Sequence, residues 1–555
     1  MAAASLQETF GQKLLRRASA AWYATRLYAL TLPRQAPLEL PVLPDEAWPG
    51  SVANADRLFQ GRFVFAGVEV VSPRAAPWGM TAAELKLDAI SHAAWAAELH
   101  GFRWLRDFVT QGGDMARRMA RALVGSWLEK HAMQIQGLPW RADVAGRRLA
   151  HWVNAAHFLL DGADDKFAHD FLLAIARHTA HLNHAAKRAQ PGLPRFAALL
   201  GLVYGTEALG QPQQAVMQAL CGALETQILA DGGHVSRNPS QLYRLLREIV
   251  ALWRFLLALD PGRAALLQVF LDRMAPMLRF FRHGDGGLAL FHGGQEEVPA
   301  QIDQLLDLSD AKGKPLNSAT LSGYERALAR RGLLLIDTGA MPPMLPDAPP
   351  PHRGLLSFEF SHGKDRLIVN CGASRRVSGG WSDALSGSAA HSTITLGQAE
   401  PAAAARISAT RNEQDGAIWF DLEHDGWWRS HNRLHRRRLF LAAGGEDLRG
   451  EETITESPPS ANGGMPVEAV LRLHLHPGVH ASLIGSGDTV ILKSASGQGW
   501  RWRGAGGVVR LEDSVYFGHT DNGGADAPRR TQQIVMTGSA GETPLVFKWA
   551  LSKIG

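Results

Sequence analysis

The chain has 555 residues, of which 46% are hydrophobic and 20% charged. This composition excludes intrinsic disorder as its main character and predicts a soluble globular protein of two or three domains. The 58 Lys and Arg residues against 53 Asp and Glu residues leave a formal charge of only +5, a weak indication of an acidic partner. Two cysteines, Cys221 and Cys371, exclude a disulfide-stapled scaffold and any multi-cysteine metal module.

The N-terminal segment scatters Arg16, Arg17 and Arg26 among apolar residues, so it lacks the uninterrupted apolar core of a signal peptide. This pattern predicts an amphipathic helix. The most hydrophobic internal stretch, residues 249–259, contains Arg254 and is shorter than the roughly 20 apolar residues that span a bilayer. The sequence therefore predicts no integral membrane segment and favours a cytoplasmic location, with a periplasmic location as the alternative.

Residues 60–72 predict a short β-like hairpin. From Ser91 to Phe281, apolar residues recur at helical spacing, and short connections containing Gly or Pro separate the segments. These features predict antiparallel helix pairs that stack into a solenoid or toroid. Trp140 is one of several tryptophans in this half, and it has two interpretations: packing in the core or stacking against sugar rings in a cleft.

After Lys312 the pattern changes to the alternation of apolar and polar residues that is typical of antiparallel strands. The Pro-rich stretch 341–354 predicts a long loop between early strands. We therefore place a domain boundary near residue 313, between a helical domain at 1–312 and a β domain at 313–555.

Several local strings, in the same order along most of the chain, resemble the heparinase II/III family. They are HGFRWLRDF (100–108), WRADVAGRRLAHW (140–152), DGGHVSRNPS (231–240), LLSFEFSHGKDRLIVNCG (355–372), AHSTITL (390–396), HDGWW (424–428), HRRRLFL (435–441) and RLHLHPGV (472–479). The resemblance implies an α+β multidomain protein with an N-terminal (α/α) toroid and a C-terminal antiparallel β-sandwich. It also implies lyase action on a uronate-containing acidic polysaccharide, by β-elimination in the groove between the domains.

In β-elimination an Asn, His or Arg neutralises the uronate carboxylate while a Tyr or His transfers protons. The sequence departs from the family pattern at these positions. Gln241 and Leu242 align with the usual Tyr-His pair, which leaves Tyr243 just beyond it. Pro350 aligns with the family's proton-transfer histidine. The departures favour either a rearranged site or the loss of lyase activity.

The segment 231–248 supplies the candidates for a rearranged site. In the lyase hypothesis His234, Arg237 or Asn238 binds and neutralises the carboxylate, Tyr243 transfers the proton, and His391 assists from the sandwich. A helix N-terminus favours anions, which supports this assignment. Because Asn238 precedes Pro239, plain helix capping is an equal alternative.

A second Gly-rich segment, residues 281–306, contributes His292 and Glu296 as candidate substrate-binding residues. The same segment supports an alternative function, that of a glycoside hydrolase. Hydrolysis uses a pair of carboxylates, and Glu296 or Glu297 with Asp231 or Asp285 would supply it.

His352, Asn370 and His391 align with a His, an Asp and a His that hold zinc in the family. Asn is a poor zinc ligand, although the neighbouring Cys371 would be a better one. The lyase hypothesis requires no cofactor. The alignment adds the alternative of a zinc ion in the sandwich, with His352 and His391 as ligands.

The basic run 433–438 predicts either a solvated edge strand or a contact with an acidic glycan through Arg436. No nucleic-acid-binding motif accompanies this charge, so the predicted partner is an acidic polysaccharide or oligosaccharide. Outside enzymes, the alternative is a catalytically silent glycan-binding protein in exopolysaccharide production.

Overall fold

The computed structural model describes residues 8–73, 76–345, 350–457, 465–485, 487–518 and 527–554. Its first part is helical and its second part consists of two packed antiparallel sheets. The predicted toroid and sandwich are thus confirmed. Within the described residues, no helix combines the length and apolar character needed to cross a bilayer.

The helical part contains fourteen α-helices among its described residues and one hairpin. The helices are α1 Phe10–Tyr23, α2 Arg26–Thr31, α3 Val52–Phe59, α4 Ala89–Gly101, α5 Leu105–Gln111, α6 Gly113–His131, α7 Ala142–Asn154, α8 Ala156–Leu160, α9 Asp165–Ala185, α10 Leu193–Ala208, α11 Gln214–Glu225, α12 Pro239–Leu259, α13 Pro261–Phe280 and α14 Pro299–Leu308. The hairpin, β1 Arg62–Phe65 and β2 Val68–Val71, lies where the sequence predicts a β-like segment.

A close helix crossing in the toroid joins α7 and α10. It depends on two glycines, because a Cβ on Gly146 would collide with the backbone of Ala197 and a Cβ on Gly201 would collide with the backbone of Gly146. Helix α10 is buried along almost its whole length. It is therefore a central helix of the toroid, and its apolar residues pack on all sides.

The sandwich consists of an eight-stranded and a nine-stranded antiparallel sheet. The first has the order β14-β15-β16-β19-β12-β11-β10-β9 and the second β17-β18-β13-β7-β6-β5-β4-β3, with β8 beside β13. The strands are β3 Ser318–Ala319, β4 Tyr324–Ala329, β5 Gly332–Asp337, β6 Phe358–His362, β7 Asp365–Val369, β8 Ile394–Leu396, β9 Ile407–Gln414, β10 Ala417–Trp427, β11 Arg433–Leu441, β12 Asp447–Glu456, β13 Val467–Leu475, β14 His480–Ile484, β15 Thr489–Lys493, β16 Gly499–Ala505, β17 Val508–Tyr516, β18 Arg529–Ala540 and β19 Leu545–Lys553. Two short helices, α15 Trp381–Ser386 and α16 Trp428–His431, lie between strands.

The core of the sandwich lies between the two sheets and draws apolar side chains from both. Strand β10 shows the alternation that produces this core, since Ile418, Phe420 and Leu422 are buried while the residues between them are partly exposed. The last toroid helix ends at Leu308 and the first sandwich strand begins at Ser318, on either side of the predicted boundary. The Pro-rich loop connects β5 to β6, with residues 346–349 outside the described residues.

Candidate functional site

Two loops of the toroid, residues 226–238 and 281–298, contact the nine-stranded sheet of the sandwich. We call this contact region the interdomain seam. It contains most of the predicted site residues, and it corresponds to the groove in which the sequence analysis places a lyase site. Its chemistry depends on which side chains remain free to meet a ligand.

Arg237 is a clamp between the two domains. Its backbone has the left-handed φ of +57°, and its guanidinium lies over the Tyr324 ring, with Cζ 4.7 Å from the ring centroid. The guanidinium donates to the carbonyls of Ser322, Gly323, Gly339 and Ala340 and to the carboxylate of Asp337. These bonds use all five of its N–H groups. Substrate binding by Arg237 stays a prediction, and it would require some of these bonds to break.

His292 contacts the same carboxylate. Its Nε2 lies 2.9 Å from Oδ2 of Asp337, and both side chains are buried. Burial opposes ionisation of Asp337, but Arg237 and His292 outweigh it and hold the pKa of that carboxyl below its ordinary value. Burial lowers the pKa of His292. The predicted substrate-binding histidine is therefore a partner of a sandwich carboxylate.

A second buried carboxylate, Glu359 of β6, joins the loop 281–298 to the sandwich. It lies 2.9 Å from His283 Nε2 and accepts hydrogen bonds from the backbone N–H groups of Leu290 and Asn370. Nearby, Arg366 of β7 donates to Asp285 at 2.7 Å. These contacts fix the loop 281–298 against the sandwich.

Glu296 is the predicted substrate-binding carboxylate of that loop, and it is partly exposed. It accepts a hydrogen bond from the Tyr516 hydroxyl, and His476 Nε2 lies 3.4 Å from the same oxygen. Burial opposes its ionisation, but the charge of Arg366 and the bonds from His476 and Tyr516 lower its pKa to about 2. Glu296 is therefore a permanent anion at neutral pH.

His234 and Asn238 lie at the start of α12. Asn238 caps the helix, because its Oδ1 accepts from the N–H groups of Ser240 and Gln241, and its Nδ2 donates to the carbonyl of His292 at 2.9 Å. His234 contacts Ser236 Oγ at 2.7 Å through Nδ1, while its buried Nε2 has no partner. Burial lowers the pKa of His234 to about 4. The capping interpretation of Asn238 describes what the structure shows.

Tyr243 lies one turn further along α12 and is buried. Its hydroxyl donates to Gln301 Oε1 at 3.3 Å and accepts from Arg247 Nη1 at 3.2 Å. Burial raises the pKa of Tyr243. Its polar contacts are therefore within the toroid, and its role in proton transfer stays a prediction.

His352 and His391 come together in the sandwich, with ring centroids 5.2 Å apart. Burial lowers the pKa of His352 to about 3 and that of His391 well below its ordinary value. Asn370, the third position of the family's zinc site, instead bonds Glu359 and the N–H of Ser392. Across the described ranges, no three His, Cys, Asp or Glu side chains converge as a metal site requires. The residues present do not fit a zinc ion, although the predicted zinc stays untested.

Two predicted substrate-binding residues lie away from the seam. Trp140 is buried in the toroid, stacked on His178 with ring centroids 4.4 Å apart. Arg436 lies on the outer face of β11, where it pairs with Asp421. The structure therefore does not bring either residue together with the others.

The residues that hold the seam together, chiefly Asp337, Glu359 and Arg366, were not predicted from the sequence. One feature of the sequence could have identified them. Each of the three is a charged residue in or at the end of an otherwise apolar strand, and such a residue is rarely buried without a partner. The pattern indicates a partner across an interface but does not identify it.

Comparison with known proteins explains this architecture. Residues 311–550 match the family model described as heparinase II/III-like, C-terminal. The chain is 32% identical over 483 residues to FtsZ-localized protein C of Caulobacter vibrioides. This alignment covers 83% of the present chain and 82% of the relative. The chain belongs to the heparinase II/III-like family.

Solved structures extend the family assignment to the whole fold. A crystal structure of heparinase III aligns with a TM-score of 0.70 and 13% identity, over 97% of this chain and 89% of that one. The heparan sulfate lyase of Pedobacter heparinus aligns with a TM-score of 0.61 and 12% identity, over 97% of this chain and 88% of that one. The heparinase II/III-like chain thus has a polysaccharide-lyase-like scaffold, and at these identities the likeness concerns the fold alone.

Proposed function

We propose that this heparinase II/III-like protein is a catalytically silent member of its family that works together with FtsZ. One observation carries the first part of the proposal. The four predicted catalytic side chains, Tyr243, His234, Asn238 and His391, are each at most 3% exposed. Groups that transfer protons must touch the substrate, and these groups touch other parts of the protein.

The electrostatics of the seam support the same conclusion. β-Elimination requires a positive or neutral group that meets the uronate carboxylate. Arg237 is saturated by protein acceptors, and Glu296, a partly exposed carboxylate of the seam, is ionised and would repel a uronate. A groove of this kind disfavours the substrate that the lyase hypothesis needs.

Hydrolysis is disfavoured on separate grounds. A glycosidase needs one carboxylic acid with a raised pKa to protonate the leaving group. Asp285 and Glu296 both have lowered pKa values, because Arg366 stabilises their ionised forms more than burial opposes them. Asp231 accepts hydrogen bonds from the backbone and hydroxyl of Ser322. Asp285 and Glu296 therefore lack the raised pKa that a general acid requires.

The second part of the proposal comes from the relative. FtsZ-localized protein C is 32% identical over most of both chains, and its name states where it is found. We infer that the present chain also localises with FtsZ. In this proposal FtsZ is the partner, where the alternative predicted from the sequence has a glycan.

A second candidate function, the lyase itself, has one observation in its favour. His234 has a buried Nε2 without a partner, and neither ring nitrogen of His391 makes a hydrogen bond of good geometry. These two incompletely bonded histidines, His234 in the seam and His391 in the sandwich, would be available to a polysaccharide that reached them.

Two assays with the purified chain test the proposal. The first follows ultraviolet absorbance of unsaturated uronate, together with new reducing ends, in a panel of uronate-containing polysaccharides. The second is co-pelleting with Caulobacter vibrioides FtsZ polymerised by GTP, with FtsZ kept unpolymerised as the control. We expect no product in the first assay and GTP-dependent pelleting in the second. Product formation overturns the silent scaffold, and absence of pelleting overturns the association with FtsZ.

A further inference from the structure

Strand β9, Ile407–Gln414, is the last strand on one side of the eight-stranded sheet. It is joined to β10 by a two-residue turn, Asp415-Gly416, whose φ angles are +53° and +77°. Such a type I′ turn places Gln414 and Ala417 in a hydrogen-bonded pair. Every second residue back from Gln414 therefore bonds β10, and the N–H and C=O groups of the residues between them point away from the sheet. These outward residues are Ile407, Ala409, Arg411 and Glu413.

The nine-stranded sheet does not cover this edge. On the side of β9, where Arg411 donates to the carbonyls of Asn317 and Arg326, the nine-stranded sheet ends in β3, which has only two residues. On the other side of the sandwich, the edge strands β14 and β17 contact each other. Six of the eight residues of β9 are exposed, and the other two are partly exposed. Strand β9 is therefore a free edge eight residues long.

The charges of β9 do not oppose pairing through this edge. Arg411 and Glu413 are its only charged residues, so the formal charge of the strand is zero. Both lie on the core side of the sheet, opposite Phe420 and Ile418 of β10, and Arg411 donates to Glu413 at 2.8 Å. The strand contains no Lys or Pro and pairs with β10 without a bulge, so it lacks three features that commonly protect free edges. An edge of this kind is a template for another strand.

We propose that β9 pairs antiparallel with β9 of a second copy of the chain, about a two-fold axis. In the register centred on Thr410, the outward residues form hydrogen-bonded pairs, Ile407 with Glu413 and Ala409 with Arg411 of the second copy. The two Thr410 residues then face each other and no like charges lie opposite, which favours pairing across strands. The register centred on Arg411 is unfavourable, because it places two arginines opposite each other. A neutral, polar edge suits a second copy better than a membrane or a polyanion, which bind apolar or cationic surfaces.

Analytical ultracentrifugation of the full chain over a range of concentrations tests the proposal. The chain has a mass of 60.2 kDa, and we expect twice this mass at the higher concentrations. Ala409→Pro removes an N–H group that points outward and leaves the bonds to β10 intact, so this variant should be monomeric. Ala409→Ser keeps the N–H group and is the matched control, which should dimerise like the unchanged chain. We expect thermal melts to coincide for the three chains, which separates lost pairing from lost folding.

Cross-linking tests the register. The two Thr410 residues form a non-hydrogen-bonded pair with Cα atoms about 4.5 Å apart, a distance that a disulfide bridges. Thr410→Cys should therefore give a disulfide-linked dimer under mild oxidation, in a Cys221→Ser background because Cys221 is partly exposed. Ser408→Cys in the same background is the control and should not cross-link, because Asn412 of the second copy lies opposite it. A monomer at every concentration, a dimer that Ala409→Pro leaves intact, or equal cross-linking at both positions would overturn the proposal.

Discussion

Nε2 of His292 in the toroid lies 2.9 Å from Oδ2 of Asp337 in the sandwich. The same carboxylate accepts a hydrogen bond from Arg237, so two residues from separate toroid loops meet on one sandwich residue. Because the three side chains are buried, water cannot replace the bonds if one partner is lost. The seam is therefore a structural joint, and it corresponds to the groove in which the sequence resemblance predicts a lyase site.

The joint can be tested by removing its charge. Asp337→Asn keeps the shape of the side chain but leaves Arg237 buried without its counterion. We expect a loss of about 3–5 kcal/mol in the free energy of unfolding. Asp421→Asn is the matched control, since Asp421 pairs with Arg436 on the surface, and it should cost less than about 1 kcal/mol. Urea unfolding followed by circular dichroism measures both. Equal losses would show that the joint contributes no more than a surface pair.

The helix crossing in the toroid gives a second prediction. Gly201→Ala forces a Cβ against the backbone of Gly146 and should lower the thermal midpoint strongly. Gly125→Ala, in α6, is the control because a Cβ there meets nothing within 4 Å. Alanine is also the better helix former, so this control should be neutral or slightly stabilising. The account of the crossing fails if Gly201→Ala melts like the unchanged chain.

Much of the fold follows from the sequence, because each half has a single dominant periodicity. Alternation in strand β10 and helical spacing in the toroid are local patterns, and a local pattern requires no knowledge of neighbours. The close crossing at Gly146 and Gly201 was not predicted. A glycine within a helical pattern indicates only that another group packs closely against the helix. It does not identify that group, which here lies more than 50 residues away along the chain.

The buried histidines predict how stability depends on pH. Burial lowers the pKa of His234 to about 4 and that of His352 to about 3, from an ordinary 6.5. Between 6.5 and these values the unfolded chain binds protons that the folded chain does not, so stability falls as the pH falls. The expected slope is about 1.4 kcal/mol per pH unit for each histidine.

Urea midpoints measured from neutral pH down to about pH 4 check this dependence. His234→Gln should give a shallower slope than the unchanged chain, while the exposed His480→Gln should leave the slope as it was. Stability that rises on acidification would contradict a neutral, buried His234.

Tyr243→Phe separates a structural tyrosine from a catalytic one. The change removes the hydroxyl that joins Gln301 and Arg247. We expect a loss of about 1 kcal/mol in unfolding free energy, which is typical of one hydrogen bond, and unchanged co-pelleting with FtsZ. A chain that folds normally but loses a measurable lyase activity would restore Tyr243 to a mechanism.

The sequence predicted which residues lie near the seam better than it predicted their roles. The predicted groups His234, Arg237, Asn238 and His292 do gather there, because the resemblance placed both toroid loops correctly. Their roles could not be predicted, since a buried Arg and a substrate-binding Arg have the same local sequence. The distinction depends on Asp337, 100 residues away along the chain.

The most direct test of the silent scaffold is absorbance of unsaturated uronate during incubation with the polysaccharide panel, with heparinase III as the positive control. The account predicts a rise with heparinase III and none with this chain, alone or with FtsZ present. A rise with the unchanged chain that disappears in Tyr243→Phe would contradict it and identify a lyase.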